Sequence, residues 1–247
     1  MEYILANKYT FIFVLVRVSM ILTFGVLYSD KRVSKPFKIA LIFLITMVLT
    51  PVVPTDRIVN ISEYDFVSIL ITEAILGFII GFISNMITHT IIMAGSIIDT
   101  QGGFGMAQIF DPTTHSQTSV VAQLMLLVGS LCFLLNNFHI TFLSIVMDSF
   151  KFIPIGEVID LTSVIQVVVS CISISLCISL PIIGIIFMID VILGISTKTM
   201  PQLNLFSVGF IVKICATMVL MYMYIFILNN VVTMVTSVIF DFLSNLS

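Results

Sequence analysis

Six apolar stretches, at about residues 9–28, 37–53, 66–98, 120–150, 164–195 and 206–240, decide what this chain can fold into. Between them lies little charge: Asp, Glu, Lys and Arg make up 9% of the 247 residues, against roughly 25% in an ordinary soluble domain. Such a chain belongs in lipid or inside a membrane-embedded assembly. Hydrocarbon offers no partner to a backbone N–H or C=O, so only helices or closed barrels can cross it. A helix crosses in about 20 residues, which the first two stretches match once each. The last four are longer than one crossing needs and predict long tilted helices, bent helices or tight hairpins. Asn136 and Asn137 in the fourth stretch and Pro181 and Gly184 in the fifth mark bends. Cys171 to Ser179 alternates apolar with Ser or Cys at the period of a strand. A membrane barrel needs many such segments and the chain has one, so this segment is also read as helix, with its serines facing other helices. The expected fold is an all-α, polytopic membrane protein of long, bent helices and helical hairpins, with six to eight apolar helices.

Ten Lys and Arg against 13 Asp and Glu leave a net charge of −3 and no basic footprint for nucleic acid. Lys31, Arg32, Lys35 and Lys38 crowd the first connection, which the positive-inside rule puts in the cytoplasm. Asp56, Arg57, Glu63 and Asp65 occupy the second. Arg17 interrupts the first apolar stretch, and Met1 to Tyr28 shows no cleavage pattern, so a retained helix is expected there. Cys132, Cys171, Cys177 and Cys215 lie inside apolar runs without metal-ligand spacing and are read as free thiols in the core.

The polar residues inside the apolar runs carry more information. Glu73, Gly77, Gly81, Asn85 and His89 recur every fourth residue and form a slowly winding stripe on one helix. The glycines suit a close helix-packing seam. The carboxylate and the imidazole at its two ends suggest instead a polar lining or an ion relay. Arg17, Asp190 and Lys213 are candidate buried charges that need a partner or a water path, and Arg17 with Glu73 and Asp190 with Lys213 are candidate pairs. Residues 99–118 contain no Lys or Arg. Within them Gly102, Gly103 and Gly105 allow unusual backbone conformations, while Phe104, Met106 and Phe110 supply bulky apolar tips. That combination suits a loop that occludes a hole and moves aside; an ordinary surface turn is the plainer alternative. His89, His115 and His139 lie apart with no cluster of ligands, no phosphate-cradling loop is present, and nothing calls for an enzyme, a cofactor or a metal.

In order and spacing these features resemble the FliR family of flagellar export proteins, related to the T-type subunits of type III secretion systems. The likeness runs through Arg17, the basic connection, Glu73, Gly77, Gly81, Gly95, Asp99, Gln101 and Gly103. It continues through Asp111, Pro112, His115, His139, Asp148, Ser149, Phe150, Pro154, Ile155 and Gly156. It is most specific at Asp190, Gly194, Lys198, Pro201, Gln202, Leu203, Asn204, Leu205, Phe206, Gly209, Phe210 and Lys213. The sequence departs from the family at Ile211, where proline is usual, and at Lys198, where arginine is common. The resemblance implies a subunit that assembles with P-type and Q-type subunits into a helical export pore, beside B-type and A-type membrane proteins. That pore passes unfolded flagellar proteins and lies in the bacterial inner membrane within the flagellar basal body. It implies a P-type-like portion at 1–160 containing the plug loop 99–118, and a Q-type-like hairpin at 161–247. It also implies helices lifted largely out of the bilayer plane, against the topology drawn from charge. A secondary transporter and an assembly factor that does not line the pore are the alternatives; the first predicts an internal repeat, which is not seen.

Overall fold

A computed structural model describes residues 2–26, 34–53, 63–104, 119–157, 161–199 and 205–244. All regular structure among the described residues is helical. The helices are α1 (Glu2–Phe24), α2 (Lys35–Leu49), α3 (Glu63–Gln101), α4 (Val120–Leu135), α5 (Phe138–Phe152), α6 (Leu161–Thr199) and α7 (Leu205–Ser244).

The described residues form seven helices, but the expected six to eight apolar helices exceed the number that qualify among them as membrane spans. Three are long and apolar enough, within α3, α6 and α7, or four if the bent pair α4–α5 counts as one span. With 39, 39 and 40 residues, those three extend about 60 Å each at 1.5 Å per residue, twice the hydrocarbon thickness. The second stretch was expected to make one crossing. Its helix has only 15 residues, because Pro36 fixes its first turn and the chain leaves the helix at Thr50 and Pro51.

The fourth stretch breaks at Asn136–Asn137 into two helices bent by 70°. Asn137 takes the left-handed conformation at φ 55°, which asparagine tolerates better than most residues. The Asn136 side-chain amide donates to Cys132 O at 2.7 Å and to Asn229 Oδ1 at 2.8 Å, steadying the break. The fifth stretch does not break: α6 stays helical through Pro181 and Gly184. Cys171 to Ser179 is helix as well. Of its serines, Ser175 and Ser179 are buried, whereas Ser173 faces outward. Both buried hydroxyls donate to carbonyls three residues back, to Ile172 O and Leu176 O, and so need no partner from another helix.

The chain forms two compact units. One comprises residues 1–87, 137–169 and 236–247, the other residues 88–136 and 170–235. In the first, α1 and α3 meet along a glycine seam. A Cβ on Gly77 would stand 2.5 Å from Arg17 O, and one on Gly81 would stand 2.9 Å from Ile21 O. Phe13 and Phe66 extend that contact with rings 5.2 Å apart. In the second, Gly95 lies against the Ala122 backbone and Gly129 under Ile91. The inward face of α6 repeats Cys171, Ile174, Ile178, Ile182 and Ile186 at helical spacing.

Large apolar side chains also face outward: Met188, Ile192, Ile195, Tyr222, Met223 and Phe226 are all exposed. Cys177 and Cys215 share this outward surface, so only Cys132 and Cys171 are core thiols, though all four are free. Gly184 and Gly194 also face open space on α6. Alanine at either position is expected to leave the protein unchanged or stabilise it by about 0.5–1 kcal/mol, the helix-propensity gain over glycine. Thermal unfolding of the purified chain in detergent measures it.

Candidate functional site

Two polar constructions stand out, one in each unit. In the first, Arg17 of α1 and Glu73 of α3 form an ion pair with both side chains at 0% exposure. Arg17 Nε donates to Glu73 Oε2 at 2.5 Å and Nη2 to Oε1 at 2.9 Å, the fork geometry that suits guanidinium to carboxylate. Nη1 donates to Ser149 O at 3.1 Å and Ile153 O at 2.8 Å, capping the C-terminal end of α5. That end carries the negative pole of the helix, where a cation is favoured. The guanidinium carbon also lies 4.4 Å from the centre of the Phe150 ring. Glu73 Oε1 accepts a further bond from Gly156 N at 3.0 Å.

Gly156 can donate there because of its turn. Pro154, Ile155, Gly156 and Glu157 close a reverse turn in which Glu157 N donates to Pro154 O at 3.3 Å. Gly156 has φ 90°, a conformation open to glycine at the third position of such a turn. Three segments therefore meet at one neutralised centre: α1 brings the cation, α3 the anion, and the end of α5 with its turn supplies two acceptors and one donor.

The remaining stripe residues do not join this centre. Gly77 and Gly81 make the helix seam, Asn85 is half-buried, and His89 is exposed. Glu73 is bound at both oxygens, and the two ends of the stripe share no contact among the hydrogen bonds of Glu73. His139 is half-buried near the start of α5. Among the described residues no three His, Cys, Asp or Glu side chains gather as a metal site requires.

The second construction surrounds the start of the glycine-rich loop. Asp99 is buried, and its Oδ1 accepts from Val121 N at 3.3 Å, while Ser119 Oγ accepts from Ala122 N at 3.1 Å. Both bonds cap the positive N-terminal end of α4. Gly102 is buried, Gly103 has φ 89°, and Phe104 is 8% exposed. Gly105, Met106 and Phe110 lie outside the described residues, as do Pro201, Gln202, Leu203 and Asn204. Phe206 falls within α7, but its side chain is not among those described.

Lys213 of α7 pairs with Asp190 of α6 at 2.5 Å. Unlike Arg17, these two expected buried charges are partly open: the side chains are 26% and 37% exposed respectively. Exposure and the lack of directional backbone partners make the pair interchangeable. Asp190→Lys with Lys213→Asp is expected to recover most of the accumulation lost in either single variant, read by quantitative immunoblot of membranes. A double no better than the singles would contradict the pairing.

Comparison with known proteins shows the family. A model of the family described as bacterial export proteins, family 1, matches residues 8–238. The chain belongs to this family. It is 26% identical over 243 residues to the flagellar biosynthetic protein FliR of Bacillus subtilis, covering 96% of this chain and 93% of that one. The FliR of Escherichia coli is 27% identical over 200 residues, 79% of this chain and 76% of its own. A secretion system apparatus protein, SsaT of Salmonella typhimurium, is 28% identical over 151 residues, 59% of this chain and 58% of its own. The match to the export family takes in α2 to α6 entire and most of α1 and α7, so it includes both polar constructions. Sequence reasoning named Arg17 and Glu73 but gave no role to the Ser149 and Ile153 carbonyls, Phe150 or the Gly156 amide. The signal available was Pro154-Ile155-Gly156 directly after an apolar helix, a turn that only glycine completes.

Proposed function

We propose that this chain is a multi-pass subunit of the flagellar type III protein export gate in the bacterial inner membrane. It assembles there with P-type and Q-type subunits, beside B-type and A-type membrane proteins, into a pore for unfolded flagellar proteins. The observation that carries this reading is the family match over residues 8–238 together with full-length similarity to flagellar FliR proteins. The fold supports it. Helices twice as long as a bilayer needs, with apolar side chains on their outward faces, suit burial in lipid and against other subunits. In this reading residues 1–160 form the P-type-like portion and 161–247 the Q-type-like hairpin, a division by likeness to partner subunits rather than by internal packing. The secondary-transporter alternative finds less support, because Glu73 is fully buried and held by Arg17 and Gly156.

The loop that begins at Gly102 is the pore plug in this reading, with Gly102, Gly103 and Gly105 supplying its backbone freedom. Phe104, Met106 and Phe110 supply an apolar seal against ions and water. Replacing those three side chains by alanine is expected to leave assembly intact and to open an ion leak, read as loss of a potassium gradient in proteoliposomes holding the purified complex. A tight complex of normal composition would rule out the plug and favour a subunit that does not line the pore.

A further inference from the structure

The loop's two ends are held differently, and the difference assigns a role to α7. At its far end, Ser119 and Val121 are fixed by the α4 cap and by Asp99. At its near end the chain leaves α3 through Gly102, whose N–H still donates to Ile98 O at 2.7 Å. There it lies against α7. A Cβ on Gly102 would stand 2.7 Å from Thr217 Oγ1 and 3.0 Å from Thr217 Cγ2. A Cβ on Gly103 would stand 3.6 Å from the Phe210 ring and 3.9 Å from Lys213 Cβ. Phe210, Lys213 and Thr217 lie at helical spacing on one side of α7. Thr217 Oγ1 donates to Lys213 O at 2.8 Å, which fixes its rotamer, and Asp190 holds the Lys213 ammonium.

We infer that Thr217, Phe210 and Lys213 form a seat on α7 that positions the start of the glycine-rich loop, with Asp190 keeping Lys213 in place. Gly102 is required because the seat leaves no room for a side chain, and Gly103 because the chain turns there at positive φ. The near end of the loop is thereby tied to the α6–α7 hairpin, so the set of that hairpin governs where the loop begins. These are positioning residues, and their importance to sealing rests on the plug reading above.

Size complementarity tests the seat directly. In the full chain, co-expressed with its partner subunits and with its four native cysteines replaced, Phe104→Cys reports the seat because Phe104 is buried. Gly102→Ala is expected to raise maleimide labelling at that position roughly tenfold, the scale of disruption that overpacking brings. Adding Thr217→Ala removes the two Thr217 atoms the new methyl meets, leaving only Ile98 O of the preceding turn at 3.0 Å, and should return labelling to near the parent rate. Asp190→Asn should raise it by a smaller factor. If Gly102→Ala lowers accumulation instead, recovery by Thr217→Ala carries the same meaning. Unchanged labelling, or equal damage with and without Thr217→Ala, overturns the seat. Ion leak separates it from the plug: labelling that rises while the seal stays tight leaves the seat standing and removes the plug. Leak in the triple alanine variant without a labelling response to Gly102→Ala removes the seat alone.

Discussion

Arg17→Met and Glu73→Gln are each expected to abolish stable accumulation of the chain, because either leaves a fully buried polar group without its partner. Breaking a buried ion pair from one side costs about 3–5 kcal/mol, a large share of the 5–15 kcal/mol that holds a typical domain folded. Here the loss is compounded, since Arg17 also satisfies Ser149 O and Ile153 O and Glu73 also satisfies Gly156 N. Arg17→Lys should fail nearly as badly. An ammonium carries the charge but lacks the planar fork that meets a carboxylate on one edge and two carbonyls on the other. The reversed pair, Arg17→Glu with Glu73→Arg, should not rescue either single change: a carboxylate at 17 would face two carbonyl oxygens, and a guanidinium at 73 would face an N–H. Charge attraction alone predicts rescue, as it does for Asp190 and Lys213. Membrane levels and unfolding midpoints in detergent for the four variants decide between them, and an Arg17→Lys protein at wild-type level would contradict the directional account.

Gly77→Ala is expected to destabilise the chain by about 2–3 kcal/mol, near the upper end of the usual cost of overpacking. The added methyl would meet Arg17 O at 2.5 Å and Met20 Cβ at 2.8 Å. Neither is the far end of a flexible side chain. Relief therefore requires α1 and α3 to separate, and separation stretches the Arg17–Glu73 bonds one turn away. Gly81→Ala should act in the same direction but more weakly, its nearest contact being Ile21 O at 2.9 Å. Unfolding of the purified chain provides the measurement, with Gly184→Ala as the control. If Gly77→Ala and Gly184→Ala behave alike, the seam is not what the two glycines provide.

Helix positions were legible because apolar runs in such a chain have only one way to satisfy their backbone. Which face of each helix turns inward was much less so. In a soluble protein an apolar side chain points to the core, but lipid and core are both apolar, and that signal vanishes. Here Phe226, Met223 and Ile192 face outward, while Thr10, Arg17, Thr46, Glu73, Ser84 and Thr217 are inside. Polar residues are the better guide to the interior, since their alternative is hydrocarbon. Cys177 and Cys215 misled for that reason. Arg17 and Glu73 were candidate partners from sequence because each needed an opposite charge. The two carbonyls and the amide that complete their site carry no side-chain signature, and only the Pro154-Ile155-Gly156 turn hinted at them.

If this chain works as one subunit of an export gate, it should be purified together with the others. The tagged chain would be isolated in mild detergent, the co-purifying proteins identified, and the particle mass determined. A large complex containing P-type and Q-type subunits is predicted. A monomer or small homo-oligomer, with those subunits expressed in the same cells but absent from the particle, would contradict it.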